Sequence, residues 1–176
     1  MENFESYPTD LTHQTSVALD YFSATITPTS GGDAYFLIGD DNGHYSFNGA
    51  NALVANSESG SSYILSFTLY AETNYIGFNV IGFGNGGDGT LTINTNAGDS
   101  FLIAEKPPRN TVNNIMFFGL LNQDQAFTEF TLEKTTLNDG IGLDEMYFSA
   151  VPIPPALYLF GSGLIGLVRM ARRKAA

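Results

Sequence analysis

The sequence predicts an all-β fold, an antiparallel β-sandwich over residues 1–150, followed by a single C-terminal hydrophobic helix. Residues 1–150 are rich in Gly, Asn, Ser, Thr, Tyr and Phe and poor in Ala, Lys and Arg, which favours short strands and turns. Several segments alternate apolar and polar residues, with turn signals at spacings of roughly ten residues. No segment before residue 151 has the apolar periodicity of a long helix. A chain of 176 residues is expected to hold one such domain.

The strands are predicted in order from these patterns. Residues 17–27 form a first long strand and residues 34–39 a short apolar one. Residues 62–70 alternate, which puts Tyr63, Leu65, Phe67 and Leu69 on one face. Residues 75–83 are apolar on both faces and are predicted to be a central strand. The remaining predicted strands are 90–95, 101–104, a buried run at 114–121, 127–134 and 141–150. The total is roughly nine to eleven strands, as in a sandwich.

Charge is segregated along the chain. All 18 acidic residues lie in 1–150, with Lys106, Arg109 and Lys134 as the only basic ones, so this part carries a net charge of −15. A domain this acidic is a poor candidate for nucleic-acid binding, because neutralising phosphates requires basic residues. The four remaining basic residues all follow residue 168. A basic end beside an apolar run indicates the cytoplasmic side of a membrane, which leaves residues 1–150 outside.

Composition and motifs give no catalytic residue. The chain has no cysteine, which excludes disulfides and thiolate metal sites, and its two histidines, His13 and His44, lie in no nucleophile motif. The glycines at 82, 84 and 87 match a dinucleotide-binding fingerprint formally, but a strand pattern follows them where that fingerprint requires a helix. Glycosidase chemistry needs only two carboxylates, and 18 acidic residues are too many to choose among. We therefore expect a non-catalytic protein.

The last 26 residues, 151–176, have three parts in a fixed order. Prolines at 152, 154 and 155 exclude a continuous helix at the start, residues 156–168 carry no charge, and four basic residues follow. Thirteen residues of helix span only about 20 Å, against a hydrocarbon core of roughly 30 Å. Counting from 151 to 171, with Arg169 extended towards the head groups, gives a short membrane span. The alternative is a core element of a soluble domain, but its basic end has no acidic residue nearby to pair with.

This tail resembles the PEP-CTERM sorting signal of exported proteins that are processed by exosortases in Gram-negative bacteria producing exopolysaccharide. Ile153 stands where the name-giving motif has Glu. The resemblance implies an exosortase-like partner, an inner-membrane-anchored precursor with a cytoplasmic C-terminus, and final deposition at the cell surface or in extracellular polysaccharide. Since residues 1–10 contain no signal peptide, we expect one upstream. The matching residues are Val151, Pro152 and Pro154 in the proline turn, Leu157, Phe160, Gly163, Leu164, Gly166 and Leu167 in the apolar run, and Arg169, Arg172, Arg173 and Lys174 in the basic end.

Residues 117–149, directly before the proline turn, resemble the closing strands of jelly-roll domains, so the sandwich is expected to be jelly-roll-like. In carbohydrate-binding folds of this kind a structural Ca²⁺ often joins the first and last strands. The resemblance implies Glu5 and Asp144 as its ligands, with Asp33 as a weaker third. Alternatively these carboxylates cap turns or face solvent. A carbohydrate-binding module is the alternative function, in which exposed tyrosines stack on sugars; the candidates are Tyr7, Tyr35, Tyr45, Tyr70 and Tyr75.

Overall fold

The structure is a computed structural model that describes residues 1–2, 4–39, 49, 51–57, 61–83, 89–105, 115–135 and 140–149. These residues form twelve β-strands and no helix. In chain order the strands are β1 (Asp10–Gln14), β2 (Ser16–Ala18), β3 (Phe22–Pro28), β4 (Ala34–Gly39), β5 (Ala52–Ser57), β6 (Tyr63–Thr73), β7 (Tyr75–Ile81), β8 (Thr90–Thr95), β9 (Ser100–Glu105), β10 (Ile115–Leu121), β11 (Phe127–Lys134) and β12 (Ile141–Ser149).

Two antiparallel sheets of six strands each build the sandwich. Sheet I has the order β1-β4-β5-β12-β7-β10, and sheet II has the order β2-β3-β6-β11-β8-β9. The chain crosses between the sheets repeatedly, for example from β6 in sheet II to β7 in sheet I. Residue 2 adds a short bridge to the last strand, since Glu2 pairs with Met146. The first described residues are therefore held against β12.

The core lies between the two sheets, and most strands contribute alternate residues to it, as the pleat requires. Phe67 and Phe130 stack with ring centres 4.4 Å apart, and Phe22 meets Phe67 edge-on at 5.3 Å. Lys134 is also buried, with its Nζ 4.6 Å from the centre of the Tyr63 ring, a cation–π geometry. This packing confirms the predicted antiparallel sandwich.

The outer faces of the two sheets differ in chemistry. Across sheet II, Thr25, Ser66, Thr131 and Asn94 stand opposite one another on neighbouring strands, so this face is a row of hydroxyl and amide groups. The outer face of sheet I carries no such row. On β10 it presents Ile115, Phe117 and Leu121, which are 49%, 57% and 45% exposed. Sheet II also exposes apolar side chains, but on its edge strand β9, where Phe101 and Leu102 are 45% and 51% exposed.

Two strand predictions were wrong. Residues 17–27 are not one strand: β2 and β3 form a hairpin around residues 19–21, with Ser16 paired to Thr25. The run 114–121 is not buried, because β10 is an edge strand that shields only alternate residues. The predictions at 34–39, 90–95 and 127–134 are confirmed to the residue. The predicted C-terminal helix lies outside the described residues, and within them no helix has the length and apolarity needed to cross a membrane.

Candidate functional site

The candidate site is a platform of aromatic side chains on the outer face of sheet I, where β12, β7 and β10 run side by side. Its floor is Gly77 of β7 and Gly119 of β10, which face each other across the ladder. Tyr147 of β12 stands opposite Gly77 on the other side. The aromatic side chains at the platform are Tyr75, Phe117 and Tyr147. We call these three residues and the two glycines the aromatic platform.

The two glycines allow the rings to lie close to the sheet. A Cβ placed on Gly77 would lie 2.6 Å from the Tyr75 hydroxyl oxygen and 2.9 Å from Cζ of Phe117. A Cβ on Gly119 would lie 3.3 Å from Cε1 of Phe117. The ends of both rings therefore meet above Gly77 and bury it, while Phe117 stays 57% exposed. The result is an apolar surface with the Tyr75 hydroxyl within it.

A β-bulge in β12 brings the third ring to this face. Leu143 and Met146 both point into the core, although they are three residues apart, because the register shifts between Asp144 and Tyr147. Glu145 takes the extra position with a φ of 48°. If the same sequence alternated strictly from Leu143 without a bulge, Tyr147 would point into the core. The bulge therefore shifts the alternation of side chains by one residue and places Tyr147 on the outer face of sheet I.

Polar groups border the platform on the side of the bulge. Asn79 stands between Asp144 and Phe117 in the ladder, and its Nδ2 donates a hydrogen bond to Oε2 of Glu145 over 3.2 Å. The backbone N–H of Glu145 donates to Oδ1 of Asp144 over 2.7 Å. Asn79 and Asp144 are buried, at 5% and 1% exposed, so the partly exposed Glu145 is the polar group that this network presents beside the platform. Such a combination of apolar surface and a few fixed polar groups is typical of small-ligand sites.

A pocket of about 290 Å³ opens beside the platform, at the end of the sandwich. One wall is aromatic: Tyr21, which is 46% exposed, lies 6.3 Å from Phe148 between ring centres. Ser149, which also lines the pocket, stands opposite Tyr75 in the ladder. The pocket is separate from the platform, because its Phe148 wall lies on the core side of β12 whereas Tyr147 lies on the outer face. Its other lining residues are Leu69, Ala71, Glu72 and Thr73.

The three residues implied as calcium ligands are not brought together into one group. Oε1 of Glu5 accepts a hydrogen bond from the backbone N–H of Asn51 over 3.0 Å, Asp33 is exposed ahead of β4, and Asp144 is buried. Among the described residues, no group of three or more His, Cys, Asp or Glu side chains could hold a metal ion. The calcium site stays a prediction without geometric support.

The tyrosines predicted from the sequence are dispersed. Tyr7 lies beside Glu2, Tyr35 stacks on His13 with ring centres 3.6 Å apart, and Tyr70 is 58% exposed on the outer face of sheet II. Tyr45 lies outside the described residues, as do the tail residues 151–176. Only Tyr75 belongs to the platform. Phe117 and Tyr147 were missed, because neither the edge position of β10 nor the bulge in β12 leaves a signal in a single sequence.

Comparison with known proteins identifies the fold. No protein-family model matches the chain, and no curated protein matches it. Among solved structures, the module TmCBM61 in complex with β-1,4-galactotriose is 14% identical with a TM-score of 0.50, covering 86% of this chain and 100% of its own. The K1 adhesin domain of Lys-gingipain from Porphyromonas gingivalis W83 is 12% identical with a TM-score of 0.53, covering 86% and 97%. The K2 adhesin domain is 15% identical with a TM-score of 0.52, covering 85% and 97%. At these identities the similarity shows a shared two-sheet β-sandwich.

Proposed function

We propose that this chain is an exported, non-catalytic surface protein whose sandwich binds carbohydrate on the aromatic platform. The observation that carries the binding function is the pair of rings lying over Gly77 and Gly119 with the Glu145 carboxylate at their border. One face of a hexopyranose carries C–H groups and packs on aromatic rings, while its hydroxyls need polar partners at the edge. The similarity to a galactotriose-binding module adds support at the level of the fold.

The charge of the domain favours neutral sugars. With a net charge of −15 over residues 1–150, it repels uronic-acid and sulfated polysaccharides at low salt. The platform itself lies beside Glu145, whose side chain is partly exposed, so an anionic ligand would approach a carboxylate. We expect a neutral, β-linked polysaccharide to be preferred.

Binding is tested with the full chain, kept in a polyoxyethylene detergent so that no sugar-based detergent competes. Calorimetric titration with β-1,4-galactotriose, backed by a glycan array, gives the affinity for each variant. Phe117→Ala and Tyr75→Ala should each weaken binding about tenfold, since one stacked ring contributes about 0.5–1.5 kcal/mol beyond its buried area.

The matched control is Tyr70→Ala, which removes an exposed tyrosine from the opposite sheet and should leave binding unchanged. Equal affinity in all three variants would place the site elsewhere, with the pocket beside Tyr21 as the next candidate. A wild-type chain that binds no neutral glycan on the array would refute carbohydrate binding itself.

The second part of the proposal is sorting by the tail. It rests on the order of proline turn, uncharged run and basic end in residues 151–176. We propose that this segment anchors the precursor in the inner membrane and that an exosortase-like enzyme cuts near residues 151–155. Orientation follows from the basic end, which stays on the cytoplasmic side.

Mass spectrometry of the surface-released protein tests sorting in an exosortase-bearing Gram-negative host, with a signal peptide fused upstream. The released form should end near the proline turn and lack the residues after it. Replacing Arg172 and Arg173 by Glu should reduce release, since the stop at the cytoplasmic face is lost. An intact C-terminus on the released protein would contradict sorting while leaving the carbohydrate proposal standing.

A further inference from the structure

Strand β10 is an open edge of sheet I in the part of the chain that the structure describes. It pairs with β7 on one side and with no described strand on the other. An edge strand exposes a row of unpaired backbone groups, and proteins usually protect it with charges, proline, a bulge or a short length. β10 has seven residues, none of them charged or proline, in unbroken register with β7. Its edge is therefore open to pairing with a further strand.

The other edges in the described residues are protected. β1 carries Asp10 and His13, and its register with β4 is interrupted. β2 has only three residues. β9 ends in Glu105 and has a register shift against β8. The contrast singles out β10 as the edge where pairing meets no charge and no irregularity.

We propose that β10 pairs antiparallel with β10 of a second copy of this chain, centred on Phe118. This register is self-complementary in size: Ile115 stands opposite Leu121, and the Phe117 ring stands opposite Gly119, which has no side chain. In a two-fold pairing a charged residue near the axis would lie close to its own copy and repel it, and β10 contains no charged residue. A foreign peptide would not explain this internal match.

The pairing would join two six-stranded sheets into one continuous sheet. The outer faces of both copies then lie side by side, and the two aromatic platforms meet near the two-fold axis. A surface of this kind can hold a long polymer through two sites at once, which raises its avidity. The pairing itself does not depend on what the platform binds.

Two single-cysteine variants test the register, because the chain has no cysteine of its own. Phe117→Cys and Gly119→Cys are prepared in the full chain, mixed and oxidised. Directly opposite residues have Cα atoms about 4.5–5.5 Å apart, within the Cα range of a disulfide, so the mixture should form more heterodimer than either variant alone forms homodimer. Leu102→Cys on β9, which is 51% exposed, is the control and should not cross-link to either. No excess of heterodimer over this control would overturn the proposed register.

Sedimentation in detergent then tests the assembly. Leu121→Lys should weaken the dimer about tenfold or more, since lysine on an edge opposes strand pairing. Leu102→Lys places the same charge on the edge of the other sheet and should leave the dimer intact. Higher NaCl should strengthen the dimer, because each copy has a net charge of −11. Three results would overturn the proposal. They are a monomer at every salt concentration, a dimer that survives Leu121→Lys unchanged, and a dimer that weakens as NaCl is raised, as expected when opposite charges hold the two copies together.

Discussion

The hydroxyl of Tyr7 links the start of the chain to the sandwich. It donates a hydrogen bond to Oε2 of Glu2 over 3.0 Å and accepts one from the backbone N–H of Asp20 over 2.9 Å. Burial, together with the nearby carboxylates, raises the pKa of Tyr7 from 10.0 to about 12. The folded state therefore keeps the proton at pH values where the unfolded chain loses it.

The sign of this shift predicts a loss of stability in alkali. Because the folded pKa is raised, the free energy of unfolding should fall as pH rises between 10.0 and about 12. Tyr7→Phe should be less stable at pH 7 by about 1 kcal/mol, for the lost hydrogen bonds, and the gap to wild type should narrow in that alkaline window. Urea unfolding at a series of pH values measures the free energy of unfolding of wild type and of Tyr7→Phe. A constant gap up to pH 12 would contradict the assigned shift.

Gly77 is the residue on which the platform's shape depends. Gly77→Ala should push the tips of Tyr75 and Phe117 off the sheet, at a cost of about 1 kcal/mol in stability, with a larger loss of sugar affinity. Gly31 is the matched control, because a Cβ there would meet nothing within 4 Å. Gly31→Ala should change stability by less than about 0.5 kcal/mol and leave binding unchanged. Equal behaviour of the two variants in calorimetry and urea unfolding would mean that the rings do not lie over Gly77.

At the scale of elements, Thr73 connects the two sheets. It ends β6 in sheet II, and its Oγ1 lies 2.8 Å from the carbonyl oxygen of Ser149 and 2.7 Å from that of Tyr75, both in sheet I. The N–H of Ser149 also donates to it over 3.0 Å. Thr73 itself is 2% exposed, whereas its partner Ser149 is exposed at the end of β12.

Thr73→Val keeps the shape of this residue and removes its hydrogen bonds. We expect a loss of about 1–3 kcal/mol in the free energy of unfolding, since the hydrogen bonds of Oγ1 with the backbone of Tyr75 and of Ser149 are each worth about 0.5–1.5 kcal/mol. Thr25→Val on the exposed face of β3 is the control and should stay within about 0.5 kcal/mol of wild type. Chemical denaturation of both variants gives the comparison, and a neutral Thr73→Val would show that the sheets are held by apolar packing alone.

The sequence could predict the strands with clear local patterns, but not the pairing between distant strands. Strands β4, β8 and β11 match their predicted bounds because each has a clear apolar run or alternation between turns. The pattern of β10 is as apolar as that of a central strand, and only the pairing order makes it an edge. The Gly77–Gly119 pair joins residues that are 42 positions apart in the sequence. At Glu145 a register shift interrupts the alternation of side chains that a sequence pattern would predict for β12. Long-range pairing therefore decided the site, whereas local pattern decided most of the strands.

For the whole molecule, charge is the dominant property. With −15 over residues 1–150, carboxylates repel one another in the folded state more than in the expanded one. The melting temperature should rise with NaCl, as the screening length falls from about 30 Å at 0.01 M to about 8 Å at 0.15 M. Calorimetry at a series of NaCl concentrations measures this melting temperature, and a falling melting temperature would contradict the dominance of charge repulsion.

The same measurement in CaCl₂ at matched ionic strength tests the predicted calcium site. A stabilisation in CaCl₂ beyond that in NaCl, which Glu5→Gln removes and Glu72→Gln retains, would favour that site.

Strand β12 lies in the interior of sheet I, between β5 and β7, and its last residue, Ser149, leads towards the C-terminal tail. If that tail is anchored, a pull on the molecule acts along β12, parallel to both of its neighbours. A force along β12 loads many of its inter-strand hydrogen bonds at the same time, whereas a force perpendicular to an edge strand would break such hydrogen bonds one after another. The aromatic platform lies on β12, β7 and β10, so a force between a bound polysaccharide and the membrane would act within sheet I.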